Sequence, residues 1–381
     1  MEPIYLDHAA TTPMHPAVIE KMSETMKEIY GNPSSIHQFG RRARAILDEN
    51  RRYIAGTIGA DEKELYFTSG GTEADNLALI GVALANQKKG KHIITTKIEH
   101  HANLHAAEHL ESLGFELTYL PVSEAGYVTP ADVEKHLRDE TILVSIMMIN
   151  NEVGAIQPIK EIAQLLKDHQ AYFHTDAVQA YGLIKLDVKE LGIDLMSASA
   201  HKLNGPKGVG FLYAGQEIKF NALQHGGNQE RLKRPGTESL PGIVGMRTAI
   251  QQIEADNYQN FNQYKSYRDL FYQELKQSDI DFTVNGVFDE LAPTILNVSF
   301  ANTKVEPMLM SLDLEGIAVS SGSACTAGSI EPSHVLTAMY GADHPRTRNS
   351  IRFSFGSANN EEQMIEAASR VIKVVKRLAG K

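Results

Sequence analysis

Among its 381 residues the chain has a single cysteine, Cys325. One thiol cannot form an intrachain disulfide, and this usage points to a reducing compartment, with the cytoplasm as the expected location. No apolar run approaches the roughly 20 residues that cross a bilayer, so no membrane association is expected. The opening segment MEPIYLDHAATTP carries Glu2 and Asp7 and no basic stretch, and does not read as a secretory signal. Positive charge is not in excess: 37 basic residues against 47 acidic ones give a net charge of −10. Nucleic-acid affinity depends on neutralising phosphates, so direct binding of that kind is not expected. Neither GxGxxG nor GxxxxGKS/T occurs, which removes the usual fingerprints of dinucleotide and P-loop sites. Internal repeats and low-complexity tracts are missing too.

What is present is ordinary for a globular protein, 42% hydrophobic and 22% charged, and long enough for two domains. From about Leu65 to Leu212, β-rich runs alternate with helical patterns. The runs are Glu64–Thr68, His92–Thr96, Glu116–Leu120, Ile142–Met148, Ala171–Thr175, Leu195–Ser199 and Gly208–Tyr213. Such alternation indicates an α/β fold with a mostly parallel sheet covered on both faces. Val244–Gln277 reads as one connecting helix. Beyond it, Thr294–Phe300, Ile317–Ser320 and Ser350–Phe355 read as strands and Asn360–Leu378 as a closing helix. The expected division is 13–255 as a large domain, with 1–12 and 256–381 forming a smaller α+β one.

In open α/β sheets ligands bind beyond the carboxyl ends of the strands. The first run leads into SGGTEADN, Ser69 to Asn76, where small residues and a helix start offer backbone N–H groups to a phosphate. An ordinary turn capped by Thr72 is the plainer alternative. After His92–Thr96 comes KIEHHANLHAAEH, with His101, His105 and His109 on one helical face. Zinc would need a further ligand that this helix does not offer, so a solvated face is expected and no metal. His100, at the corner, is better placed to touch a ligand. Asn150 and Asn151 follow Ile142–Met148, and Asp176 and Gln179 follow Ala171–Thr175. They read as turn and cap residues or as site groups. Ser199, His201 and Lys202 follow Leu195–Ser199, ahead of a glycine-rich return.

A lysine, an acidic strand end and an anion cradle are what pyridoxal phosphate requires. Each is common alone; the three at successive strand ends are far more specific. The setting of Cys325, SSGSACTAGSIEPS, fits this reading. A cysteine kept for packing sits among apolar neighbours, whereas this one has the serine, glycine and alanine of a loop. From Ser320 to Pro332 the extended contour is roughly 40 Å, so the thiol could travel on the order of 10–20 Å between a site and a partner.

SASAHKLNGPKGVGFL resembles the lysine signature of class V aminotransferase-like enzymes. With YLDHAATTP, YGNPSSIH, FTSGGTEADN, HTDAVQ, RPGTES, SSGSACTAGS and NSIRFSFG it resembles the cysteine desulfurases of the NifS/IscS type, from Tyr5 to the last helix. The resemblance implies a fold-type I, pyridoxal phosphate-dependent homodimer that converts L-cysteine to L-alanine and keeps the sulfur as a persulfide. It implies that Lys202 carries the cofactor and moves protons, Asp176 pairs with the ring nitrogen, His100 stacks on the ring and Gln179 bonds its oxygen. Gly71, Thr72, Ser199 and His201 would surround the phosphate, joined by Thr237 of the neighbouring subunit. Asn151 and Arg352 would hold the substrate carboxylate, and Cys325 would accept the sulfur. Because a free thiol of pKa about 8.5 is only roughly a tenth ionised at pH 7.5, activation by the site is expected.

Gly71, Ala200, Asn204 and Pro235 differ from residues frequent at their positions, and none of these changes removes a catalytic group. The long loop marks members that hand sulfur to iron–sulfur scaffolds or tRNA-thiolating enzymes. The chain ends soon after its last helix, without the longer tail of some members, which favours a tRNA 2-thiouridylase as acceptor. Selenocysteine lyase or class V aminotransferase activity is the alternative, and a thiol in a loop favours desulfuration over transamination.

Overall fold

The computed structural model describes residues 2–322, 325–326 and 329–380, the dipeptides 325–326 and 329–330 by their backbone alone. Strand β1 (Ile4–Tyr5) precedes a seven-stranded sheet. Its members are β2 (Leu65–Thr68), β3 (His92–Thr96), β4 (Glu116–Leu120), β5 (Thr141–Ser145), β6 (Tyr172–Asp176), β7 (Leu195–Ser199) and β8 (Gly210–Ala214). The order is β2-β8-β7-β6-β5-β3-β4. Only β8 is antiparallel to its neighbours, β2 and β7. The parallel members are apolar along their length, as in Ile142, Leu143 and Val144, because both faces are covered. The helix Gly71–Asn86 lies across the sheet and buries Ala74, Leu77, Ala78, Val82 and Ala83.

The single helix expected over Val244–Gln277 is two helices, Leu240–Ala255 and Asn260–Gln277. Asn257 and Tyr258 between them have φ of 50° and 56°, left-handed backbone that no α-helix contains. Asn tolerates this conformation, and with polar residues on both sides of the break the apolar spacing does not reveal it. The second helix packs against the closing helix Glu361–Leu378.

Between those helices stand β9 (Phe282–Val284), β10 (Ile295–Phe300), β11 (Ile317–Ala318), β12 (Cys325–Thr326), β13 (Ser329–Ile330) and β14 (Ser350–Ser354). β14, β10 and β9 form an antiparallel sheet. Phe271 packs against Phe353 and Phe355 at centroid distances of 4.8 and 5.8 Å, sealing helix to sheet. Each such aromatic buried contributes about 1.5–3 kcal/mol. β12 and β13 pair antiparallel, so the segment carrying Cys325 folds back on itself. Ile317–Ser320 is strand only over its first two residues, and Ser320 forms an isolated bridge with Arg352.

The start of the chain joins both parts. β1 pairs in parallel with β11, and Asp7 bridges to Ser354. Thr12 N–H then donates to His201 O and His15 N–H to Asn204 O, both at 2.9 Å. Asn204, at φ 61°, donates from Nδ2 to Pro13 O and Ser357 Oγ at 2.8 Å each.

Candidate active site

A cavity of about 350 Å³ opens beyond the ends of β6 and β7, at the start of helix Gly71–Asn86. Lys202, in a 3-10 turn directly after β7, reaches it half-buried. Its Nζ donates to the carbonyls of Ala9 and Ala10, the latter at 2.8 Å. Burial, and then the Arg352 charge, lower its pKa to about 8. Asp176, the last residue of β6, is buried and accepts from Val178 N–H at 2.8 Å. Burial pushes its pKa up, while the Val178 N–H and the Lys202 charge pull it down. A buried carboxylate needs a cation, and Lys202 supplies one from across the cavity.

Beside Asp176 lies a buried polar group. His174, two residues earlier on the same face of β6, has Nδ1 2.8 Å from Ser145 Oγ and Nε2 3.0 Å from Ser197 Oγ. Burial lowers its pKa to about 3, so the ring is neutral. Asp75, from the helix, sits 3.8 Å from that ring with one oxygen unpartnered. Burial and then Asp176 raise the Asp75 pKa well above the usual range.

His100 caps helix His101–Ser112, its Nδ1 accepting from Ala102 N–H at 3.1 Å. The residue lines the cavity and is exposed. Burial and then Lys202 lower its pKa to about 4, leaving a flat neutral surface. Gln179 donates from Nε2 to Ala9 O at 3.0 Å.

The turn from β2 into the helix leaves the first-turn N–H groups without a side-chain cap. A Cβ on Gly71 would lie 2.7 Å from Val178 Cγ2, so the bare backbone fits closely there. Thr72, Ser199 and His201 border the same corner. His201 has its pKa lowered to about 4 by burial and then Lys202, and its Nδ1 lies 3.2 Å from Thr11 Oγ1.

Arg352, on β14, closes the opposite wall. It donates from Nη1 to Asn151 O at 2.8 Å and from Nη2 to Asp7 Oδ1 at 2.9 Å, while its buried Nε has no partner. A guanidinium beside Asn151 on the cavity wall suits a carboxylate ligand.

Ten of the residues singled out in the sequence therefore line one cavity: Gly71, Thr72, His100, Asn151, Asp176, Gln179, Ser199, His201, Lys202 and Arg352. Thr237 does not; it is exposed outside its own chain's cavity. The Cys325 side chain, and with it the expected reach of its loop, lies outside the described residues. The sequence reading missed Ala9, Ala10, Asp75, His101, Glu152 and His334. Of the histidine stripe, His105 and His109 are exposed as expected, but His101 turns inward to pack 4.6 Å from the His334 ring. Among the described residues no three His, Cys, Asp or Glu side chains are grouped to hold a metal.

The residues fit pyridoxal phosphate. Lys202 offers an amine of lowered pKa to its aldehyde, Asp176 a fixed charge to its ring nitrogen, and the Gly71 corner uncapped N–H groups to its phosphate. The mostly parallel sheet that carries them is that of the fold-type I enzymes of this cofactor. The aminotransferase class-V family matches residues 4–366. The "Putative cysteine desulfurase IscS 1" of Bacillus subtilis (strain 168) is 55% identical over 378 residues, covering 99% of this chain and 100% of that protein. The "Cysteine desulfurase IscS" of Dictyoglomus turgidum (strain DSM 6724 / Z-1310) is 47% identical over 379 residues, 99% of this chain and 96% of that protein. The solved structure of a "NIFS-LIKE PROTEIN" superimposes with a TM-score of 0.92 at 34% identity, covering 99% of this chain and 100% of that one. The chain belongs to the aminotransferase class-V family and, within it, to the pyridoxal phosphate-dependent cysteine desulfurases of the NifS/IscS type.

Proposed function

We propose that the enzyme converts L-cysteine to L-alanine, keeps the sulfur as a persulfide on Cys325 and passes it to an acceptor protein. The supporting observation is that Arg352, donating to the backbone of Asn151, lines the cavity that also holds Lys202 and Asp176. In this reading Arg352 and Asn151 bind the substrate carboxylate. When bound, pyridoxal phosphate supplies the aldehyde that takes up the substrate amine and a ring that draws electrons from its Cα. Asp176 would hold the proton on the ring nitrogen, His100 would lie beside the ring and Gln179 would bond its oxygen. Gly71, Thr72, Ser199 and His201 would hold the phosphate, and Lys202 Nζ would carry the cofactor and move the Cα proton.

Cys325 Sγ, as thiolate, attacks the substrate sulfur. The S–S bond forms, the Cβ–Sγ bond breaks, and its electron pair remains with the carbon skeleton, which takes up protons and leaves as alanine. L-cysteine and Cys325-SH thus give L-alanine and Cys325-SSH with no outside oxidant. A reductant, or an acceptor thiol in a tRNA-thiolating enzyme or iron–sulfur scaffold, then removes the sulfur. This reading makes 13–255 the cofactor-binding unit and gives Cys325 to the unit formed by 1–12 and 256–381. It makes the enzyme cytoplasmic.

A homodimer is part of the proposal. Tyr30 and Phe39 pack at 5.4 Å beside Ile36, which is 91% exposed, an apolar surface that a second copy would cover. Thr237, exposed away from its own cavity, would then complete the partner's phosphate site.

The test is anaerobic incubation with L-cysteine and a thiol reductant, measuring alanine and sulfide. Equal yields, with sulfide lost in Cys325→Ala, support the reading. Alanine and sulfide unchanged by that substitution overturn it.

A further inference from the structure

Glu152 is a buried carboxylate that the reaction above does not use. It follows Asn151 and lines the cavity, and its backbone is fixed by Asn150 Oδ1, accepting its N–H at 2.9 Å, and by Asn297 Nδ2, donating to its carbonyl at 3.0 Å. Its side chain meets both ends of the segment that carries Cys325. At the entry, Gly322 at φ 82° rests directly on the carboxylate: a Cβ there would lie 2.5 Å from Glu152 Oε2. At the exit, the Ser333 hydroxyl donates to Glu152 Oε2. The same hydroxyl oxygen accepts from Leu336 N–H at 3.1 Å, capping the helix His334–Tyr340, so its proton has one direction left.

The neighbouring residues add to the anchorage. Ser320 exchanges backbone hydrogen bonds with Arg352 at 2.7 and 3.3 Å. His334 Nε2 donates to Glu99 O at 2.9 Å, and its Nδ1 lies 3.8 Å from Glu152 Oε1. Arg352, which also lines the cavity, donates to Asn151 and Asp7.

We propose that Glu152 is a positioning residue for sulfur transfer, holding Gly322 and Ser333 together on the cavity wall so that the segment between them is presented to the bound substrate. A segment whose two ends are fixed on the cavity wall samples fewer placements than one whose ends are free to move, and the effective concentration of the thiol over the cavity rises accordingly. The inference rests on Cys325 being the sulfur acceptor.

The experiment compares holoenzyme with Glu152→Ala, Glu152→Gln, Gly322→Ala and the Glu152→Ala/Gly322→Ala pair, under anaerobic single turnover. Alanine and the Cys325 persulfide, trapped by alkylation, are quantified, and hydrogen exchange is followed over 320–334. For Glu152→Ala the expected result is a tenfold or larger fall in the rate of both products. Cofactor absorbance and the KM for L-cysteine should stay within about twofold, with faster exchange at both ends of the segment. Glu152→Gln, whose carboxamide still accepts from Ser333, should recover most of the rate. Gly322→Ala should fall comparably, and the pair should be no slower than Glu152→Ala, because the methyl no longer meets a carboxylate. Unchanged persulfide formation in Glu152→Ala, exchange altered at neither end, or strictly additive losses would overturn the inference. Loss of the Cys325 reading shows separately, as sulfide production that survives Cys325→Ala.

Discussion

Asp7 Oδ1 accepts from Arg352 Nη2 at 2.9 Å, so a residue near the start of the chain aims a guanidinium delivered by β14. Removing that carboxylate leaves the arginine charged but free to turn. Asp7→Ala is expected to raise the KM for L-cysteine roughly five- to tenfold, about 1–1.4 kcal/mol, with kcat changed much less. Steady-state kinetics check this; a fall in kcat at constant KM would contradict it.

The Lys202 amine, lowered to about 8, predicts a pH profile for cofactor capture. Only the neutral amine adds to an aldehyde. Capture of pyridoxal phosphate by apoenzyme should therefore rise about tenfold per pH unit below 8 and level off above it. The stability consequence has a definite sign. The folded pKa lies below the unfolded one, near 10.4, so between these values the unfolded chain binds the extra proton. This group then makes apoenzyme stability increase with pH across that window and adds no slope below it. Stopped-flow absorbance from pH 6.5 to 9.5 reads the capture rate, and a flat profile would rule the assignment out.

At Gly71 the prediction is steric. The Cβ of Gly71→Ala meets Val178 Cγ2 at 2.7 Å, so the turn must shift and its N–H groups lose their aim. Affinity for pyridoxal phosphate should fall at least tenfold, about 1.4 kcal/mol, and Val178→Ala in the same chain should restore most of it. Cofactor retained through gel filtration measures both.

Stability has its own weak point far from the cavity. Arg51 donates from Nη1 and Nη2 to Glu230, each at 2.6 Å, with both side chains buried. Glu230 Oε2 also accepts from Phe67 N–H at 3.0 Å. Arg51→Ala leaves a carboxylate without its cation and should cost about 3–5 kcal/mol, read from chemical denaturation of the holoenzyme.

The sheet is legible because its buried strands are short apolar runs separated by turns, and the residues after each run converge by the geometry of parallel strands. Lys202 and Asp176 are visible for that reason. Asp75 is hidden, since it lies one helical turn inside a segment whose glycines draw attention to phosphate. Glu152 looks like one more polar residue in INNEVG, and only the tertiary placement of Gly322 and Ser333 shows what it touches. The break at Asn257 escaped because a left-handed residue leaves no mark on apolar spacing. Ala9 and Ala10 contribute carbonyls rather than side chains, which no residue pattern encodes.

The pairing of β1 with β11 joins residues more than three hundred positions apart. During synthesis from the N-terminus, Ile4 and Tyr5 are made first and have no strand to join until Ile317 and Ala318 emerge. The carbonyls of Ala9 and Ala10, which meet Lys202, follow β1 directly in the chain. Pairings this remote close late, so the nascent large sheet can form while β1 is still unpaired. A product broken off ahead of β11 would carry Lys202 and the ties of Thr12 and His15 to its turn, yet lack the strand pairing that fixes the start of the chain.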